Sequence, residues 1–198
     1  MTQQGKNAID LVLAESLIEL SAKKPIDKIT IKEITDKAGV IRPTFYNHFQ
    51  DKYELIEWII KNELLEPIKP LLNAGMIFEA IVLMLNNISA NSVFYKKALK
   101  LEGAVTFNRI AMKCVYEMFM NIISEKGTGK KPKYRWLTPE VISTYYAQSL
   151  CFITEGWIAQ GMDDIEPKEM AEAYMYLITR SMDDILLCCH LYSLSLCR

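Results

Sequence analysis

Ile29-Thr30-Ile31-Lys32-Glu33-Ile34-Thr35-Asp36-Lys37-Ala38-Gly39-Val40-Ile41-Arg42-Pro43-Thr44-Phe45-Tyr46-Asn47-His48-Phe49-Gln50-Asp51-Lys52 is punctuated for two short helices and the opening of a third. Thr30 and Glu33 have the spacing of a capping box, in which the hydroxyl accepts a free backbone N–H and the carboxylate reaches back. Ile31, Ile34 and Ala38 then share one face, with Lys32, Asp36 and Lys37 outside it. Gly39 stops this helix, because the position wants a left-handed residue and glycine takes it without strain. Arg42-Pro43 opens the next one, where the missing proline N–H is not needed. Phe45 and Phe49 lie four apart and point inward, leaving Arg42, Thr44, Tyr46, Asn47 and His48 more exposed. Asp51, with Glu54 three residues on, caps the helix beyond.

Helical spacing continues in both directions. Ile9, Leu13, Leu17 and Leu20 line one face of a helix predicted over about residues 6–23, and Pro25 ends it. Downstream, the pattern predicts helices near 51–64, 68–89, 92–101, 104–125, 138–161 and 167–192. Thr138-Pro139 and Pro167 are start signals, Gly161 is a stop, and Gly127 to Arg135 is a basic loop. The fold class is all-α. Eight glycines and seven prolines in 198 residues are too few for the tight turns of a sandwich or barrel. No apolar run reaches the roughly 18 residues of a membrane span. The polar start, Met1 to Asn7, lacks the apolar core of a signal peptide, so a cytoplasmic protein without membrane contact is expected.

Two short helices joined by Ala38-Gly39-Val40 have the geometry of a helix-turn-helix, whose second helix lies in the major groove. Arg42 can read guanine bidentately or hold a phosphate, and Asn47 can pair with adenine. Tyr46 and His48 can donate to phosphate, Lys52 sits at a helix N-terminus that welcomes anions, and Lys32 can reach the same groove. The net charge is −1, so a surface for duplex DNA must be a local patch on an otherwise acidic chain.

The run from Ile29 to Ile56 closely resembles the DNA-binding signature of the TetR family of regulators: a threonine-initiated helix, an Ala-Gly-Val turn, then Tyr46-Asn47-His48-Phe49-Gln50-Asp51-Lys52. The resemblance implies a three-helix DNA-binding head, here residues 6–52, on a helical ligand-binding and dimerising body, residues 53–198. Carried over by position, Arg42, Pro43, Thr44 and Tyr46 face base edges and nearby phosphates. Tyr46, His48 and Lys52 hold the backbone, and Lys32 reads a base from the bracing helix. Ile41 departs from the pattern, standing where the family often has a small polar residue that caps the recognition helix. Phe152 to Met162, followed by Pro167-Lys168-Glu169-Met170-Ala171, is similar to the C-terminal subgroup that includes regulators of dihydroxyacetone kinase operons.

The same resemblance implies a homodimer on a pseudo-palindromic operator, released by a small-molecule effector, with the last two long helices as the interface. The residues proposed for that interface are Tyr146, Leu150, Ile153, Trp157 and Ile158 on one helix and Tyr174, Leu177 and Ile178 on the other. Met84, Phe107, Met112, Tyr116, Phe119, Tyr145 and Phe152 are the candidates for the pocket, being large, soft or able to offer one polar group. Two other readings stand beside this one: an activator, and a helical module of this fold that binds a small molecule or protein without specific DNA binding.

Catalysis has little material. His48 and His190 are the two histidines, and neither a P-loop nor a dinucleotide fingerprint occurs, so neither enzyme nor cofactor is expected. The five cysteines, scattered at helical positions, read as small buried hydrophobes. Cys188-Cys189-His190 lacks the further ligands of a zinc site.

Overall fold

The computed structural model describes residues 3–103, 105–126 and 134–185. Every regular element among them is helical. In chain order the α-helices are α1 (Gln3–Lys23), α2 (Ile31–Ala38), α3 (Arg42–His48), α4 (Lys52–Ile59), α5 (Lys69–Asn73), α6 (Ile77–Ala90), α7 (Ser92–Ala98), α8 (Phe107–Lys126), α9 (Pro139–Ala159) and α10 (Pro167–Thr179). No single helix among them is long and apolar enough to cross a membrane.

The head forms where local signals agree. Thr30 Oγ1 accepts the Glu33 N–H, and the Glu33 carboxylate accepts the Thr30 N–H at 2.9 Å, which closes the capping box of α2. Gly39, at φ 69°, ends α2 in the left-handed region, and Val40 N–H bonds back to the Thr35 carbonyl. Leu13 and Leu17 of α1 meet Ile34 of α2 and Phe45 of α3 in a core closed to solvent. The Lys24 ammonium, with Thr30 behind it, holds the Glu33 carboxyl at about 2, below its ordinary 4.5. A depressed acid stabilises the fold above its unfolded value and loses that contribution as pH falls through its folded value. Glu33→Gln is therefore expected to unfold more easily than the parent above about pH 4.5. Thermal melts at a series of pH values should show the difference closing toward pH 2.

The fourth helix joins head to body. The Asp51 carboxylate caps it, accepting the Tyr53 and Glu54 N–H groups at 2.8 and 2.9 Å. Leu55, Ile56 and Ile59 are buried, and α4 packs on α1 at one end and α8 at the other. Beyond Ile59 the chain continues as a π-helical turn, Ile60–Leu65, instead of the plain helix expected to residue 64. A cluster of charges ties this junction to α8. Glu57 accepts Lys61 at 2.7 Å and Lys113 at 2.9 Å, and Lys61 also pairs with Glu117 at 2.8 Å. Burial pushes the Glu57 carboxyl up, but the hydrogen bonds from Lys113 and Lys61 outweigh it and leave the carboxyl below its usual value.

In the body α8 and α9 pack side by side, α10 lies on α6, and α7 reaches back to α1. Two expected helices are broken. The stretch 68–89 divides into α5 and α6 at Gly75, whose φ of 77° no continuous helix accommodates. The helix expected over 167–192 stops at Thr179, because Arg180 is extended. Ser181 then accepts the Asp184 N–H, a new start signal. Cys188-Cys189-His190 and most of the basic loop lie outside the described residues.

Candidate functional site

The third helix presents a polar outer face built on an aromatic inner one. Arg42, Pro43, Tyr46 and Asn47 are exposed and Thr44 is half-buried, while Phe45 and Phe49 are sealed in the core. Ile41 is the N-cap, 69% exposed, and its aliphatic side chain makes no capping bond. The Arg42 Nη2 donates to the Tyr46 hydroxyl at 2.9 Å, and its guanidinium lies 5.5 Å from the Tyr46 ring centroid. Tyr46 itself stands edge-on to Phe45 at 5.7 Å. Arginine and tyrosine thus form one oriented unit, with a guanidinium fork suited to phosphate or guanine. Lys32, on α2, is exposed and hydrogen-bonded to Asp36 at 3.0 Å, which raises its pKa.

Two residues expected at the DNA backbone are turned inward instead. The His48 imidazole is 2% exposed, and its Nδ1 pairs with the Asp10 carboxylate of α1. The Lys52 ammonium donates to the carbonyls of Ile26, Asp27 and Ile29 at 3.0, 2.7 and 3.1 Å, and burial lowers its pKa. Those three carbonyls lie along and just past the short 3-10 turn Ile26–Lys28, and the Ile26 carbonyl also accepts the Ile29 N–H at 3.1 Å. His48 and Lys52 brace α3 and α4 against the rest of the head. Asp10 is a residue that sequence reasoning passes over, although a carboxylate on the same side of α1 as Leu13 and Leu17 was a visible anomaly.

Inside the body, the π-helical turn, α6, α7, α8 and α9 border a small, partly open cavity of about 40 Å³. Its walls are mostly aliphatic and aromatic, among them Ile60, Leu64, Met84, Phe107, Leu150 and Ile158. Tyr95, Cys151, Thr154 and Glu155 border it as well, but the Tyr95 and Thr154 hydroxyls are closed off and the surface it exposes is apolar. Burial pushes the Cys151 thiol up to about 12, as it does for Cys114, so neither is a reactive thiolate near neutrality.

Comparison with known proteins bears on this arrangement. Residues 15–59 match the family described as bacterial regulatory proteins, tetR family. Residues 76–180, more than half the chain, match its transcriptional regulator C-terminal region. The chain belongs to the TetR family of transcriptional regulators. It is not an enzyme. Among relatives of this TetR-family chain, the dhaKLM operon transcriptional activator DhaS of Lactococcus lactis subsp. lactis is 26% identical over 152 residues, covering 76% of this chain and 79% of that one. The solved structure of a dihydroxyacetone kinase operon activator DhaS superposes with a TM-score of 0.61 at 22% identity, covering 85% and 93% of the two chains. NalD, the secondary repressor of the MexAB-OprM multidrug efflux pump in Pseudomonas aeruginosa, gives 0.55 at 14%, covering 86% and 94%. Both superpositions show the fold.

In this TetR-family body, expected pocket and expected interface partly change places. Of the pocket candidates, Met84 and Phe107 line the cavity. Met112, Tyr116 and Phe119 are half-buried beside the core, Phe119 against Tyr146 at 5.8 Å, and none of the three lines the cavity. Tyr145 and Phe152 point outward, 60% and 77% exposed. Of the interface candidates, Leu150 and Ile158 line the cavity. Trp157 is buried with its indole N–H on the Ile165 carbonyl at 2.9 Å, and Tyr174 is buried with its hydroxyl 2.9 Å from Ser149. Tyr146, Ile153 and Ile178 are half-buried, and Leu177 is exposed. The physical reason is that α9 is apolar on two faces, so periodicity finds both without telling which faces its own body. Tyr95, Thr154 and Glu155 carried no signal in the sequence, since each sits singly within an ordinary helical pattern.

Proposed function

We propose that this TetR-family regulator acts in the cytoplasm as a homodimer on a pseudo-palindromic operator, with cavity occupancy setting the spacing of its two heads. The observation that carries the reading is the continuity of one helix. It begins beside the recognition helix at Asp51 and ends in the π-helical turn whose Ile60, Leu64 and Leu65 wall the cavity. A molecule that fits the cavity better in one position of this turn than another shifts the population toward that position, and the attached head moves with it. The DNA-reading set is Arg42, Pro43, Thr44, Tyr46 and Asn47, with Lys32 from α2; His48 and Lys52 hold those residues in place.

The outer face of α9 supports the dimer. Tyr145, Phe152, Gly156 and Ala159 fall on one stripe at helical spacing, and a side chain added at Gly156 would meet open space. Tyr176 and Leu177 of α10 are exposed as well. An apolar stripe with small residues at one end suits close packing against its own copy. Phe152→Glu is expected to leave the fold intact and give a monomer in sedimentation velocity, with operator affinity falling because the second head no longer assists the first. A dimer that persists in this variant would refute the stripe.

Release from DNA on ligand binding, and hence repression, is the first reading of sign. Activation is the second, favoured by the relative named as an activator. Binding to DNA from upstream of its own gene at several salt concentrations tests the regulator itself, since phosphate contacts weaken steeply with salt. A promoter fusion, with and without the regulator, separates the two signs. No binding to that DNA or to a random duplex pool would leave the ligand-binding module as the reading.

A further inference from the structure

The side chain that opens the recognition helix is at odds with its position. We propose that Ile41 reads the 5-methyl group of a thymine in the major groove and so fixes one base of each half-site. This rests on the reading of the chain as a DNA-binding regulator and adds a residue to the reading set on α3.

An N-cap normally carries serine, threonine, aspartate or asparagine, whose oxygen accepts a free N–H of the first turn. The neighbouring helices follow that rule: Thr30 caps α2 and Asp51 caps α4, each with a side-chain oxygen on backbone N–H groups. Ile41 makes no such bond, so α3 forgoes that stabilisation. Its side chain gains no burial in exchange. At 69% exposure it is the most exposed of the described leucines, isoleucines and valines. Val40 before it packs half-buried on the core, and Phe45 beyond it is closed to solvent. This turn therefore has inward places for apolar residues, and Ile41 occupies an outward one.

The position is also held firmly. On one side the Val40 N–H bonds the Thr35 carbonyl at 3.0 Å, and on the other the Ile41 carbonyl accepts the Thr44 N–H at 2.9 Å. Branching at Cβ restricts the rotamers of the side chain itself. Its methyl groups thus lose little freedom when they meet a partner.

The surroundings leave this corner of the head apolar. The Arg42 guanidinium is drawn along the helix to the Tyr46 hydroxyl at 2.9 Å and lies over that ring. On α2, Lys32 is paired with Asp36 and Lys37 with Glu19. Ile41 and the exposed Pro43 remain at the start of α3. Base edges in the major groove offer donors and acceptors on all four standard bases, and one hydrocarbon group, the thymine methyl. An aliphatic side chain at the front of a helix in that groove matches that group and gains nothing from a phosphate.

The test uses the duplex that the parent binds most tightly out of a random pool. Each of its thymines is replaced in turn by deoxyuridine, which lacks only the methyl. At one thymine in each half-site the exchange should weaken binding about fourfold, the factor for burying one methyl group. Ile41→Ala should bind the thymine duplex more weakly and lose the distinction at that position alone. Ile41→Val keeps the branched methyls and should keep the distinction. Ile41→Ser separates reading from folding: with a capping oxygen restored it should melt higher than the parent, yet treat thymine and deoxyuridine alike there. A parent indifferent to every thymine methyl, or a distinction that survives in both Ile41→Ala and Ile41→Ser, would overturn the contact and leave the regulator standing. If the pool yields no duplex that the parent binds, the regulator reading falls and this contact falls with it.

Discussion

Arg42→Ala is expected to lower affinity for the proposed operator by about five- to a hundred-and-fiftyfold, the span that follows when one good arginine contact of about 1–3 kcal/mol is removed. The magnitude follows from preorganisation. The guanidinium is already oriented by the Tyr46 hydroxyl and ring, and Tyr46 stands on the buried Phe45, so little freedom is left to lose on binding. Fluorescence anisotropy on a labelled duplex across a salt series distinguishes the two kinds of contact. If Arg42 holds a phosphate, the salt slope falls by about one and all sequences weaken alike. If it reads a base, the slope holds and discrimination at that base relaxes. Tyr46→Phe keeps the ring and removes the orienting hydroxyl, so its loss should be smaller and of the same kind. An Arg42→Ala protein with unchanged affinity and unchanged slope would remove α3's outer face from the DNA site.

Phe45→Ala should cost about 3–5 kcal/mol, the usual penalty for truncating a buried phenylalanine. The side chain is closed to solvent at the centre of the head, in contact range of Phe49 at 5.8 Å and of Tyr46. Phe49 continues the aromatic chain to Trp58 of α4 at 6.4 Å. The loss should therefore fall on the head and the start of α4, leaving the packed α8 and α9 pair in place. Hydrogen exchange is the direct measurement: amides of α2 and α3 should lose protection while those of α8 and α9 keep it. Operator binding should vanish although Arg42 is untouched. Normal protection in α2 and α3 would show that the aromatic chain is not what holds the recognition helix.

Sequence alone determined the head. Thr30, Glu33, Gly39 and Asp51 act on backbone groups within a few residues of themselves, so their hydrogen bonds and left-handed turn can be read without knowing any distant neighbour. Arg42, Tyr46 and Asn47 follow for the same reason, because the inward pull of Phe45 and Phe49 leaves them no other side of so short a helix. Only tertiary structure decided the rest. His48 and Lys52 look like phosphate donors until Asp10 and the Ile26–Ile29 carbonyls are brought to them from far along the chain. Leu150 and Phe152 are both apolar and two residues apart on α9, yet one walls the cavity and the other faces outward. Burial is a property of what packs opposite, and on a helix apolar on two faces no periodicity carries that information.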